Sequence, residues 1–219
     1  MKTELPSYTR KQEIANSLSH ALGVLFAIIG GPFLIAKAVE TRDPWRISTS
    51  IIFSISLLIL YFGSAFYHGL KPSNLKKVFR VIDHDNVFLL IIGTYAPYCL
   101  VGLREYSQAW AYSIFCACAI LGILGIVLNS IDLKKFSVFC IIDYILMGWI
   151  IILSFYPLIM SIGWYPASFL LLMGGISYTI GAILYCIGSK HSKWFHLVFH
   201  LFVLLGTLLM FVSIYYWVI

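Results

Sequence analysis

The chain is built of long apolar stretches separated by short polar breaks. Stretches such as 51–60, interrupted only by Ser54 and Ser56, and 169–173 run apolar without the strict alternation of a strand. The strand of a membrane β-barrel would instead alternate apolar and polar positions over about ten residues. A helix that crosses the hydrocarbon core of a bilayer needs about 20 mostly apolar residues. Seven segments meet that length, at roughly 15–38, 47–69, 83–103, 108–129, 136–157, 165–188 and 194–218. The predicted fold is an all-α seven-transmembrane-helix bundle in a single domain over residues 1–219, with residues 1–13 as a short polar N-terminal tail. No Gly/Ser/Pro-rich linker, charged tail, low-complexity run or internal repeat divides it.

Composition supports this pattern. Hydrophobic residues make up 61% of the chain and charged residues 11%, with a mean hydropathy of +0.93. A soluble domain carries about 25% charged residues, so most of this surface faces lipid. A secretory signal peptide is not expected, because the first apolar stretch is too long and lacks a small-residue cleavage pattern. The five cysteines, Cys99, Cys116, Cys118, Cys140 and Cys186, fall in or beside apolar stretches with no disulfide or zinc-knuckle spacing. They read as buried thiols packing as small hydrophobes.

The net charge of +6 would suit a nucleic-acid partner only if it were clustered. It lies instead in short loops, so no nucleic-acid partner is expected and orientation explains the charge. Eleven of the 15 Lys and Arg residues share one face with the N-terminus: Lys2, Arg10, Lys11, Lys71, Lys76, Lys77, Arg80, Lys134, Lys135, Lys190 and Lys193. Only Lys37, Arg42, Arg46 and Arg104 fall on the other. Cytoplasmic loops are enriched in Lys and Arg, which predicts a cytoplasmic N-terminus and an outside C-terminus in a multi-pass plasma-membrane protein. Trp45, Tyr215, Tyr216 and Trp217 read as interfacial belt residues.

Ionisable residues inside spans are costly and mark function by default. Here they gather. The first span opens with Glu13, Asn16 and His20, spaced along one helical face. The second closes with Ser64 and His68, the third opens with Asp83, His84 and Asp85, and the seventh opens with His196 and His200. In the orientation above, all four clusters lie within about two turns of the cytoplasmic surface. Two histidines at i and i+4 project side by side and can share a metal ion. With His68 they offer three imidazoles, the ligand number of a catalytic zinc that keeps one position open. Asp83 is then a further ligand or a carboxylate that activates bound water. Imidazoles suit zinc without excluding iron, copper or nickel. Glu13 and Asn16 also fit a plain helix-capping role, and His20 an interhelical hydrogen bond. His84 and His191 flank basic loops and read as interfacial, Asp85 as solvated, Asp132 as lying near the start of the fifth span and Asp143 as hydrogen-bonded to a neighbouring helix.

The segments Glu13-Ile-Ala-Asn16-Ser-Leu-Ser-His20, Ser64-Ala-Phe-Tyr-His68, Asp83-His84 followed by Gly93-Thr94-Tyr95-Ala96-Pro97, and His196-Leu-Val-Phe-His200 resemble the motifs of the haemolysin III family, the bacterial branch of the progestin and adipoQ receptor superfamily. They run in the family's order from residue 13 to residue 200 and so cover nearly the whole chain. The SxxxH and HxxxH elements are weak alone; with the ExxNxxxH and DH…GTYxP elements they are specific. The resemblance implies seven helices, a cytoplasmic N-terminus and Zn2+ held by His68, His196 and His200. It further implies that Asp83 holds the zinc-bound water and that Ser64 lines the same site. Asp85-Asn86 departs from the family's small or uncharged residues. Helix geometry alone does not choose between Asp83 and Asp85, which point about 200° apart at about 100° per residue; the motif assigns Asp83. The function implied is hydrolysis of a lipid amide or ester within the membrane, ceramide-like by extension from receptor relatives. The alternatives are a non-catalytic regulator of membrane homeostasis with a structural zinc, and the cytolytic pore of the family name. A pore should carry polar residues through the full depth of some helix, whereas stretches 201–205 and, but for Ser213, 211–214 are apolar.

Overall fold

The computed structural model describes residues 4–188 and 190–219. They form seven membrane-length helices: α1 (Arg10–Glu40), α2 (Pro44–Gly69), α3 (Asn74–Tyr106), α4 (Gln108–Ile131), α5 (Ser137–Ile162), α6 (Trp164–Gly188) and α7 (Phe195–Val218). No strand occurs among the described residues. Four of the seven helices start at a residue whose side chain caps them. Thr9 caps α1 through a capping box with Gln12, each side chain accepting from the other's backbone N–H at 3.3 and 2.9 Å. Asp43 caps α2 ahead of Pro44, Ser73 caps α3 and Ser107 caps α4.

Two helices begin earlier than the apolar pattern predicts. α1 starts at Arg10, so the polar tail ends at Thr9 and neither Glu13 nor Asn16 is a cap. α3 starts at Asn74, which places Asp83 well inside the helix rather than at its opening and puts Lys76, Lys77 and Arg80 on its first turns. Long basic side chains reach past the apolar zone, so an apolar-length criterion stops before the helix does.

The bundle is turned inside out relative to a soluble protein. On α1, Leu18, Leu22, Leu25, Ile29 and Phe33 are exposed, while His20, Gly23, Ala27, Gly31 and Leu34 are buried. Away from the polar clusters the core is packed by Leu34, Phe53, Leu57, Tyr98, Leu103 and Ile214, all essentially inaccessible. At that end Arg46 ties α2 to the last residues of α7, with Nη1 donating to the Ile219 carbonyl at 2.7 Å, and to Glu105 at 2.9 Å. Exposed Trp45, Tyr216 and Trp217 sit at the same end. Among the cysteines, Cys99, Cys118 and Cys140 are buried as expected, Cys186 is half-buried, and Cys116 is exposed on the outer face of α4.

The GTYxP segment explains a break in α5. A 3-10 turn at Ile150–Ser154 interrupts that helix. Tyr95 of α3 inserts its hydroxyl there, donating to the Met147 carbonyl at 2.5 Å and accepting from the Ile151 N–H at 3.1 Å. One phenol satisfies both groups that an unbroken helix would pair with each other.

Candidate metal centre

The four polar clusters converge at one end of the bundle. His68 comes from the last turn of α2, and His196 and His200 from the first turns of α7. One ring nitrogen of each lies within 4.8 Å of the others, and all three rings are buried. His68 Nε2 and His196 Nε2 are 3.1 Å apart. Three nitrogens on a tetrahedral ion at Zn–N distances of about 2.0–2.1 Å stand about 3.3 Å from one another.

Two of the rings have their other nitrogen fixed. Glu13 Oε2 lies 2.6 Å from His68 Nδ1. A carboxylate only accepts, so Nδ1 carries the proton and the Nε2 lone pair is free. Ser19 Oγ lies 2.9 Å from His200 Nδ1 and gives its single hydrogen to the Asn16 carbonyl at 2.8 Å. It therefore accepts from Nδ1–H, and His200 Nε2 is free as well. Metal-binding histidines depend on such partners to fix ring orientation and tautomer. Glu13 is itself held by Lys76, whose Nζ meets Oε1 at 2.8 Å. Lys76 is only 2% exposed. It also donates to the Leu70 carbonyl at 2.8 Å and lies 4.9 Å from the centre of the Tyr67 ring. These contacts supply the pairing that a buried ammonium requires.

His20 stacks on His200 with ring centres 3.6 Å apart and makes a T-shaped contact with Tyr61. Neither His20 nitrogen, nor Ser64 Oγ, His196 Nδ1 or Asn16 Nδ2, has a hydrogen-bond partner among the described residues. Buried polar atoms are ordinarily paired, so this concentration of free polar groups beside three convergent imidazoles fits a metal centre with a polar ligand. The set can hold a metal ion, and the chemistry of its donors suits zinc. Beside it opens a cavity of about 530 Å³, lined by Ser64, Asp83, His20, His196 and His200 at its polar wall. Leu60, Val87, Leu90, Ile91 and Val203 form part of its apolar wall.

The structure places the remaining polar residues one by one. Asp83 is buried and faces the cavity. Asp85 turns to α4, accepting from Asn129 Nδ2 at 2.6 Å and Ser130 Oγ at 2.9 Å, so it is engaged rather than solvated. His84 hydrogen-bonds the Arg80 carbonyl at 2.7 Å and lines the same cavity. His191 lies exposed in the α6–α7 loop, away from the histidine cluster. Asp132 receives the backbone N–H groups of Lys134 and Lys135 in the α4–α5 turn. Asp143 does not make the expected interhelical bond: buried against Phe88 and Gly125, neither of its oxygens has a partner among the described residues. Sequence reading missed Ser19, Lys76 and Tyr8. Ser19 was findable, since it lies three residues beyond Asn16 on the face that carries Glu13 and His20.

The profile described as "Haemolysin-III related" matches residues 8–211. The chain belongs to the haemolysin III family. It is 34% identical over 210 residues to the hemolysin-3 homolog of Bacillus subtilis (strain 168), covering 96% of both chains. It is 32% identical over 209 residues to hemolysin-3 of Bacillus cereus, covering 95% of this chain and 93% of that one. A more distant relative is the adiponectin receptor protein of Drosophila melanogaster, 27% identical over 225 residues that span 88% of this chain and 47% of the receptor. No solved structure matches significantly. The haemolysin III match thus runs from the residue before the cap of α1 into α7.

Proposed function

We propose that this haemolysin III protein is a zinc-dependent hydrolase that cleaves an amide or ester bond of a membrane lipid, ceramide-like in class. The observation that carries the reading is the three-histidine set with two pinned tautomers, opening on a cavity that has polar groups at one wall and apolar side chains beyond. His68, His196 and His200 would hold the ion, with Glu13 and Ser19 orienting His68 and His200. A zinc ion bound there lowers the pKa of a water towards about 7 and polarises a carbonyl. The chain's own groups supply the rest. Ser64 has a free buried hydroxyl with which to donate to the substrate carbonyl oxygen. Asp83, on the same cavity wall, would take up the proton lost by the attacking water and return it to the leaving nitrogen or oxygen. Leu60, Leu90, Ile91 and Val203 hold an acyl chain and keep bulk water from the scissile bond.

The Lys/Arg distribution supports a cytoplasmic N-terminus in the plasma membrane, which puts the site near the inner leaflet. The test is fatty-acid release from a ceramide-like substrate by purified protein, together with metal analysis. Stoichiometric zinc and release that His196→Ala abolishes are expected; release that survives His196→Ala overturns the reading. The name of the Drosophila relative favours a second reading, in which the same site senses lipid without cleaving it. Zinc binding with no turnover of any acyl lipid would select it.

A further inference from the structure

Residues 4–9 do not run away from the bundle: Glu4 lines the cavity and Tyr8 packs on the histidine cluster. The Glu4 carbonyl accepts from Arg80 of α3. Its carboxylate meets Lys134 Nζ, in the α4–α5 turn, at 3.2 Å. Glu4, Arg80 and Lys134 all line the cavity, so the segment bridges two sides of its opening. Further along, the Tyr8 ring packs 5.8 Å from the centre of the His68 ring and 5.4 Å from that of His196. Its hydroxyl pairs with Tyr185 of α6. Burial pushes that hydroxyl far above its ordinary pKa, so it stays a neutral donor. At Thr9 the capping box anchors the segment to α1.

These attachments differ in strength. The Glu4–Lys134 pair is 76% exposed on both sides, and such pairs contribute little. Tyr8 instead lies against two of the three histidines and a third aromatic ring. A segment firmly capped at one end, loosely tied at the other and latched in the middle can lift without any helix moving.

We propose that residues 4–9 are a strap that closes the metal-site cavity, with the Tyr8 ring as its latch, and that lifting it admits metal and substrate. As a gate for metal, the strap rests on the zinc reading above; as a cover for the cavity, it does not. Cys140 separates the two, being 3% exposed and lining the cavity.

The experiment uses full-length protein in nanodiscs with Cys140 as its single cysteine, and measures labelling by a bulky water-soluble maleimide. Tyr8→Ala is expected to raise the labelling rate about tenfold, the effect of losing about 1.4 kcal/mol of closure. Glu4→Lys, which sets two cations against each other at the loose end, should raise it in the same direction. Tyr8→Phe keeps the ring and should stay within about threefold of the parent protein. An unchanged rate in Tyr8→Ala overturns the strap, and a Tyr8→Phe rate equal to that of Tyr8→Ala overturns the ring as its latch. The same variants, loaded with zinc and mixed with excess chromophoric chelator, should release metal faster by a similar factor. Faster Cys140 labelling in protein that binds no zinc keeps the strap and removes the zinc reading.

Discussion

At the scale of single residues, Glu13 shows how a side chain's role depends on a helix start several residues away. Its spacing put it on the face of Asn16 and His20, yet an acid near a helix N-terminus also reads as a cap. Because the Thr9–Gln12 box takes the capping role, Glu13 is free to divide its oxygens between His68 and Lys76, at 2.6 and 2.8 Å. Glu13→Gln leaves one acceptor oxygen for two donors, His68 Nδ1–H and Lys76 Nζ, and removes the counter-charge of a buried lysine. Zinc affinity should fall about 10–100-fold, the range for partners of metal-bound histidines, in a metal titration; an unaltered affinity would mean that His68 is not a ligand. Tyr95 makes a second case. Tyr95→Phe leaves the Met147 carbonyl and the Ile151 N–H without their partner in the core of α5, which should cost about 1–3 kcal/mol. The check is a denaturant titration in detergent, with no loss of zinc expected. The histidines were legible in the sequence because a pair of imidazoles one turn apart is costly in an apolar helix and stands out there. Lys76 and Tyr8 were not, because a loop-side lysine and a tail tyrosine each have an ordinary role that only three-dimensional contact displaces.

At the scale of the element, α1 packs against α2 through small residues. A Cβ built on Gly23 would lie 2.2 Å from the Tyr61 ring. Tyr61 is fully buried, donates to Thr207 Oγ1 at 2.7 Å and makes a T-shaped contact with His20. Gly23→Ala therefore forces α1 and α2 apart, or turns Tyr61 away from both partners. Overpacking of this kind typically costs about 1–3 kcal/mol. A lowered thermal midpoint is expected, together with weaker zinc binding, because His20 stacks on His200; a midpoint unchanged from that of the parent would show that the helices accommodate a methyl group there. The number of helices was readable from hydropathy, since each span needs its own run of apolar residues. Their ends were not, because the backbone hydrogen bonding of α3 continues through Lys76, Lys77 and Arg80 to a serine cap at Ser73. Nor did hydropathy reveal the break in α5, where the stretch is as apolar as its neighbours and the interruption answers to a tyrosine on another helix.

At the scale of the whole molecule, the buried ionisable groups gather toward one end and a packed, mostly apolar core fills the other. The cavity ends against side chains such as Leu60, Leu90 and Val203. Beyond them Leu34, Phe53, Leu57 and Ile214 are fully buried, and the polar side chains buried among them, such as Ser50, Ser54, Ser56 and Ser213, are small hydroxyls rather than ionisable groups. An ion path needs polar groups or water along its full length, so the purified protein should give no conductance steps in planar bilayers at low concentration. The same division of the molecule makes metal a structural matter as well. His68 on α2 and His196 and His200 on α7 come from helices distant in sequence, and an ion shared among them cross-links the bundle at its polar end. A ligand that binds only the folded state stabilises it by RT ln(1 + [L]/Kd), about 4 kcal/mol when free ligand is a thousandfold above Kd. Chelation should therefore lower the thermal midpoint, readdition of zinc should restore it, and His200→Ala should be insensitive to both. A chelator that shifts the parent and His200→Ala equally would be acting on something other than this centre. A parent midpoint indifferent to zinc would show that the histidine cluster holds its geometry through Glu13, Ser19 and the Tyr8 strap alone.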